Sequence, residues 1–164
     1  MDKIEYNKAI EKFYGYLSEI LKLYQDALPI LKQELESIEH DDIPTLNEML
    51  KSQQTLLLQT KSFDKDIAKH FSILNISGEN LTAVIQQLPT EEHLKFYALL
   101  GQFELTMKEV NFYKEKCRIL LESKLYGIEK ILSTQTTQKD NTTYNRDALE
   151  IQNESTSKTF KTKV

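Results

Sequence analysis

Few residues in this chain have side chains that could do chemistry, and the first to consider are histidines near carboxylates. His40 precedes Asp41 and Asp42, and a histidine with two carboxylates could bind a metal ion. These two aspartates also stand directly before a predicted helix, where an aspartate caps free backbone N–H groups. The segment Glu91-Glu92-His93 starts another helix and lacks the His-Glu-x-x-His spacing of a zinc site. We therefore interpret both segments as helix starts and expect no metal site.

His70 raises a second possibility, which is phosphotransfer. A helical histidine phosphotransfer protein carries an exposed histidine in the middle of a helix, with a lysine and a glycine nearby. Lys69 precedes His70, but no glycine is close, and His70 lies at the flank of an apolar stripe. A histidine at the edge of the core is the simpler interpretation, and phosphotransfer is kept as a third hypothesis that depends on His70 alone.

Cys117 is the only cysteine, and its position favours a packing role. It falls on an apolar helical stripe with no histidine at helical spacing, as expected of a small buried hydrophobe. A single cysteine cannot form an internal disulfide, which is typical of proteins from reducing compartments. The four glycines are scattered, so the chain has no glycine-rich phosphate loop. We expect no enzyme activity, no cofactor and no small-molecule substrate.

Composition and charge limit the remaining function classes. The chain has 164 residues, with 21 Lys+Arg against 25 Asp+Glu and a net charge of −4, which argues against nucleic-acid binding. Hydrophobic residues make up 40% of the chain, enough for one folded core. No apolar run approaches the roughly 18 to 20 residues of a membrane span. The first residues lack the apolar block of a signal peptide, so we expect a cytoplasmic protein.

Apolar residues recur at steps of three and four, and this spacing predicts an all-α protein. We expect an elongated antiparallel bundle of three long helices, over residues 4–39, 43–75 and 90–132, with a short helix at 81–88 before the third. In the first helix the apolar seam consists of Ile10, Phe13, Leu17, Ile20, Tyr24, Ala27 and Leu31. Such a seam faces one or two partner helices along its length.

Pro29 lies where the seam of the first helix changes phase. After Leu31 the next apolar positions are Leu35 and Ile38, so the spacing slips by one residue. We expect a kink at Pro29, and two helices that break there are the alternative. Charged positions in this region, such as Glu34, are interpreted as solvent-exposed.

Two short turns and a polar tail complete the predicted organisation. In the first turn Asp41 or Asp42 caps the next helix, and in the second Gly78 is free to take a left-handed conformation. Beyond Ser133 the composition changes to Thr, Ser, Asn, Gln and Lys. We therefore expect a helical bundle over residues 1–133 and a flexible tail over residues 134–164.

Three segments resemble the flagellar export chaperones of the FlgN-like family. Residues 38–57 are similar to the family's helix, short acidic turn and leucine-rich helix. The segment Leu-Leu-Glu-Ser-Lys-Leu at residues 120–125 resembles its Leu-Leu-x-x-Ser-Leu stretch, and residues 143–148 resemble its tyrosine-containing tail. The resemblance implies a cytosolic chaperone that binds the terminal helices of hook-associated proteins. It would prevent their premature assembly and deliver them to the type III export gate.

The resemblance also suggests which residues bind each partner. We expect the client to contact the apolar residues in the second half of the third helix and in the tail, which are Leu121, Leu125, Ile128, Leu132, Leu149 and Ile151. The helical members of this set could equally be ordinary core. Tyr144 is isolated in a polar stretch, and the resemblance implies that it contacts the cytosolic domain of the export gate.

The main alternative is a structural coiled-coil or adaptor protein whose apolar stripes serve only self-association. Wide stripes on the second and third helices fit either hypothesis. The tail favours the chaperone, because a purely structural rod has no need of apolar residues such as Leu149 and Ile151 in a flexible segment.

Overall fold

The computed structural model describes residues 2–161, with side chains described for residues 2–137. Five helices follow one another in this part: α1 (Lys3–Glu39), α2 (Ile43–Thr60), α3 (Phe63–Leu74), α4 (Leu81–Ile85) and α5 (Thr90–Lys161). No strand occurs between residues 2 and 161, which confirms the all-α prediction. The chain divides into two compact units, Met1–Leu120 and Leu121–Val164.

Helix α1 is continuous through Pro29 over its 37 residues, a length of about 55 Å. The alternative of two helices breaking at this proline is therefore wrong. The predicted phase slip is also wrong, because the buried positions continue past Leu31 through Glu34 to Ile38 at steps of three and four. Leu35 is only half-buried. Glu34 occupies the buried position between Leu31 and Ile38, and a charged residue there made the apolar spacing look interrupted.

The turn between α1 and α2 has the cap that the sequence predicts. The carboxylate of Asp42 accepts hydrogen bonds from the backbone N–H of Thr45 at 3.2 Å and from its hydroxyl at 2.6 Å. These bonds lower the pKa of Asp42, because they stabilise its charged form. Asp41 supplies the left-handed residue of the turn, with a φ of 57°. The chain reverses here, so that α2 runs antiparallel to α1.

The predicted second helix is two helices, because α2 ends at Thr60 and α3 begins at Phe63. The hydroxyl of Thr60 donates a hydrogen bond to the carbonyl oxygen of Leu57 at 2.8 Å. The N–H of Lys61 donates one to the carbonyl oxygen of Leu58. These short-range bonds tighten and close the last turn of α2. Acidic residues follow in the first turn of α3, a helix-start signal that the continuous apolar register concealed.

The second turn uses a different left-handed residue from the one predicted. Asn75 adopts the left-handed conformation at the end of α3, with a φ of 51°, whereas Gly78 has no positive φ. Gly78 is instead needed for close packing. A Cβ at this position would lie 3.1 Å from Cγ2 of Val84 on α4. Asparagine is the commonest alternative to glycine at a helix end, since its short polar side chain tolerates this conformation.

The centre of the core lies where α1, α3, α4 and α5 meet. Phe13 of α1 is fully buried, and its ring lies 5.8 Å from the rings of both Phe71 and Phe96. Val84 and Ile85 of α4 are at most 1% exposed in the same cluster. The short helix is therefore part of the bundle, although it ends at Ile85 rather than at the predicted residue 88.

Helix α5 runs parallel to α1 within the first unit. Near the start of α5, Lys95 forms an ion pair of 2.7 Å with Glu11 of α1. Farther along both helices, the thiol of Cys117 lies 3.7 Å from the carbonyl oxygen of Leu31. Residue numbers therefore increase in the same direction on the two helices. The helices α2 and α3 run antiparallel to both, which is the order of a three-helix bundle.

Candidate functional site

The apolar stripe of α5 is covered in the first unit of the chain. Phe96, Leu99, Val110 and Cys117 follow one another at helical spacing, and each is 5% exposed or less. Burial raises the pKa of the Cys117 thiol to about 11, so the thiol is protonated at neutral pH. This confirms the expectation that Cys117 is a small buried hydrophobe.

The same stripe continues into the second unit with its apolar side chains exposed. Leu121 is half-buried, but Leu125, Ile128 and Leu132 are 57%, 54% and 57% exposed. Steps of three and four place these side chains on one face of the helix. The structure therefore gathers the four helical residues that the sequence predicted as client contacts, and three of them are mostly solvent-exposed rather than core.

One member of this surface was missed by the sequence prediction. Ile131 is 60% exposed, and it lies three residues after Ile128 and directly before Leu132. Its helical spacing from Ile128 was the signal that could have found it. We call Leu125, Ile128, Ile131 and Leu132 the exposed α5 face. A contiguous apolar surface of this kind on a folded chain typically marks an interaction site.

The other predicted contacts lie outside the residues whose side chains are described. These are Tyr144, Leu149 and Ile151, and their roles stay predictions. The α5 bounds extend to Lys161, beyond the predicted helix end near Leu132. The division into a bundle over 1–133 and a tail over 134–164 likewise stays a prediction.

The three histidines all have local partners that account for their positions. The ring of His70 lies 5.5 Å from that of Phe13 and 5.2 Å from that of Tyr16. Burial is the main cause that lowers the pKa of His70. Nδ1 of His40 hydrogen-bonds to the Glu36 carbonyl oxygen at 2.8 Å. Nε2 of His93 hydrogen-bonds to the carbonyl oxygen of Leu88, just after α4, at 2.9 Å. These contacts support packing and capping roles. Among the described residues no three His, Cys, Asp or Glu side chains are grouped to hold a metal ion.

A buried carboxylate is the main feature of the first unit that the sequence analysis missed. Glu34 was expected in solvent, but it is only 5% exposed. The Gln53 amide of α2 donates a hydrogen bond to its carboxylate. Burial raises the pKa of Glu34, while the nearby charge of Lys114 opposes the shift. The signal was positional, because residue 34 continues the steps of three and four from Leu31 to Ile38.

Comparison with known proteins identifies the family. No helix in the described part of the chain combines the length and hydropathy needed to cross a membrane. No curated protein and no solved structure matches the chain. The family model of the FlgN protein matches residues 1–150, which is most of the chain. The chain therefore belongs to the FlgN family, the flagellar export chaperones that its sequence resembles.

Proposed function

We propose that this chain is a cytoplasmic chaperone for hook-associated proteins, the proteins of the hook–filament junction. It binds a terminal helix of the client, prevents premature assembly, and delivers the client to the type III export gate. The action is binding alone, without catalysis, cofactor, nucleic acid or small-molecule substrate. The exposed α5 face is the observation that supports this proposal most strongly.

The chemistry of the exposed α5 face suits an amphipathic helix of a client. An unassembled client helix has an apolar stripe of its own, which would otherwise promote aggregation. Two apolar helical faces pack through residues at steps of three and four. Each Leu or Ile of the face would contribute roughly 1 kcal/mol on losing its remaining exposure to water. Four such residues give useful affinity and still permit release at the gate.

The predicted tail contacts extend the proposal to a second partner. Leu149 and Ile151 act as further anchors for the client, and Tyr144 contacts the cytosolic domain of the export gate. A tyrosine suits this role because its large ring carries one hydroxyl and loses little rotamer entropy on binding. These assignments depend on the sequence pattern and on the family to which the chain belongs.

Self-association is the second candidate function, and the same exposed α5 face favours it. A second copy of the chain could cover this face and form a structural coiled coil. The two functions predict different partners for the same residues. Sedimentation of the free chain across a concentration series separates them, because a chaperone face that awaits a client leaves the free chain monomeric.

The proposal is tested by replacing Leu125, Ile128 and Leu132 together with serine. We expect the affinity for a purified hook-associated protein, measured by isothermal titration calorimetry, to fall about 100-fold because roughly 3 kcal/mol of apolar burial is lost. Serine at Leu94, Leu105 and Ile119 is the matched control, since these residues are 83%, 68% and 51% exposed elsewhere on α5. Equal affinity of both triple variants would contradict the proposal.

A further inference from the structure

Helix α2 differs from its neighbours in how little of it is buried. None of its 18 described residues, Ile43–Thr60, is buried. Its aliphatic side chains at Ile43, Leu50, Leu57 and Leu58 are between 39% and 64% exposed. The free energy gained by packing is roughly proportional to the apolar area removed from water. Helix α2 therefore gains less from packing on the bundle than its length suggests.

The two helices that follow α2 are anchored by large side chains. On α3, the ring of Phe71 lies 5.8 Å from that of Phe13, and the ring of Phe63 lies 6.3 Å from that of Tyr16. On α4, Val84 is 1% exposed. Within the described part of the chain, α2 contributes no residue to the core cluster that these side chains share. Detaching α3 or α4 would open this core cluster, whereas detaching α2 would not.

An apolar depression of about 340 Å³ lies between α2, α1 and α5. Leu50 and Leu57 line it from α2, Leu31 lines it from α1, and Val110 lines it from α5. Side chains that face a gap lose the dispersion contacts that a closely packed interface supplies. The gap therefore lowers the free energy that is needed to move α2 away from the bundle.

A buried polar contact lies where α2 meets α1. The Gln53 amide of α2 donates a hydrogen bond to the carboxylate of Glu34, which is 5% exposed. Lys114 and Cys117 are the ionisable residues that interact with Glu34 from α5, while α2 presents the neutral Gln53. A carboxylate that is removed from water loses hydration free energy. Removing α2 would return Glu34 to water, and this gain favours the detached state.

Both ends of α2 allow it to detach as one unit. Before α2, residues 40–42 form a turn in which Asp41 has a left-handed φ of 57°. After α2, Lys61 and Ser62 separate it from α3. The helix can therefore leave the bundle without unwinding α1 or α3. Cooperative units of local unfolding often coincide with such bounded elements.

We infer that α2 is a releasable helix, held closed by the contact between Gln53 and Glu34, that detaches while α1, α3, α4 and the start of α5 stay packed. Its release uncovers the part of α1 around Leu31 and Glu34. This second conformation belongs to the free chain, so the inference goes beyond the proposed function and does not depend on the partner. Hydrogen exchange detects local opening of this kind.

Hydrogen exchange of the full chain, followed by mass spectrometry, tests whether α2 opens by itself. Amides of residues 46–60 should exchange at least about 100-fold faster than those of residues 13–21 in α1, after correction for intrinsic rates. Val84→Ala weakens the core outside α2, so it should accelerate exchange at residues 13–21 and leave residues 46–60 at the parent's rate. Equal protection of the two segments, or equal acceleration by Val84→Ala, would overturn the inference.

A pair of neighbouring variants tests the contact that holds α2 closed. Gln53 and Gln54 both line the depression, and Gln53 donates to Glu34. Alanine changes helix propensity equally at the two positions. Gln53→Ala leaves the buried carboxylate without its amide donor and should accelerate exchange of α2 about tenfold, whereas Gln54→Ala should change it less than about twofold. Equal rates in the two variants would overturn Glu34 as the point that holds α2.

The pH dependence of α2 exchange in the parent chain gives a measurement that needs no destabilised variant. Burial raises the pKa of Glu34 above its ordinary value of 4.5 in the closed state, so deprotonation favours opening as the pH rises from 4.5 to 7. Cys117, with a pKa of about 11, stays protonated over this range. After correction for intrinsic rates, opening of α2 should increase with pH in the parent and not in Glu34→Gln. No increase in the parent, or an equal increase in Glu34→Gln, would overturn the role of Glu34 in the release.

Discussion

The apolar stripe of α5 keeps the same spacing in both units of the chain, but its side chains are covered in only one of them. In the first unit Phe96 and Val110 are 0% and 5% exposed. In the second unit Leu125, Ile128 and Leu132 are all more than half exposed. The spacing specifies which face of a helix is apolar, whereas burial requires another helix to cover that face. A long apolar stripe can therefore combine a core segment with a segment that is left for a partner.

The largest difference between the two regions should be in stability. Phe96→Ala removes a fully buried ring and should lower the free energy of unfolding by about 3–5 kcal/mol. Leu132→Ala removes a side chain that is 57% exposed and should change it by less than about 0.5 kcal/mol. Urea denaturation followed by circular dichroism measures both values. Similar losses in the two variants would show that Leu132 belongs to a core.

A smaller effect should follow from Glu34→Gln in the covered region. Burial raises the folded-state pKa of Glu34 above its ordinary value of 4.5, so the charged carboxylate destabilises the fold as the pH rises through that range. Glutamine avoids this cost and can retain a hydrogen bond with Gln53. We expect the variant to be more stable than the parent at pH 7.

The pH dependence gives the control for this prediction. Below pH 4.5 the parent's Glu34 is protonated in both folded and unfolded states, so the advantage of Glu34→Gln should disappear. Urea denaturation at pH 4 and pH 7 tests the difference. An advantage of equal size at both pH values would show that burial of the charge is not its cause.

The smallest effect should come from a glycine substitution next to the exposed α5 face. A Cβ at Gly127 would meet no atom within 4 Å, so nothing in the described structure requires glycine there. Gly127→Ala should stabilise the helix by about 0.5–1 kcal/mol, because glycine loses more backbone entropy on folding. Hydrogen exchange of the amides around residue 127 measures the change locally. Faster exchange in the variant would contradict the helical geometry of this segment.

The sequence predicted the helices well, because apolar residues at steps of three and four indicate a helix whichever elements pack against it. It predicted a cap at Asp41 or Asp42 and one long first helix that does not end at Pro29, because both depend on local chemistry. It missed the end of α2 at Thr60, because the apolar register continues across the break. It also missed the burial of Glu34, which depends on the helices that pack against that position. It missed the left-handed conformation of Asn75, because Gly78 nearby is the residue type that adopts this conformation most readily.

The candidate site was predictable only in part. The spacing placed Leu125, Ile128 and Leu132 on one helical face, and the structure has them there. Their exposure could not be predicted, because it depends on which other helices cover that part of α5.

The central claim is that the exposed α5 face is open to solvent in the free chain and is covered when a client binds. Cysteine labelling tests this claim most directly. In a Cys117→Ser background, cysteine at Ile128 should react rapidly with a maleimide in the free chain. Bound hook-associated protein should slow that reaction at least about tenfold. Cysteine at Tyr126, 66% exposed on the opposite side of the helix, should react equally with and without client. Slow labelling at position 128 in the free monomer, or the same rate with and without client, would contradict the account.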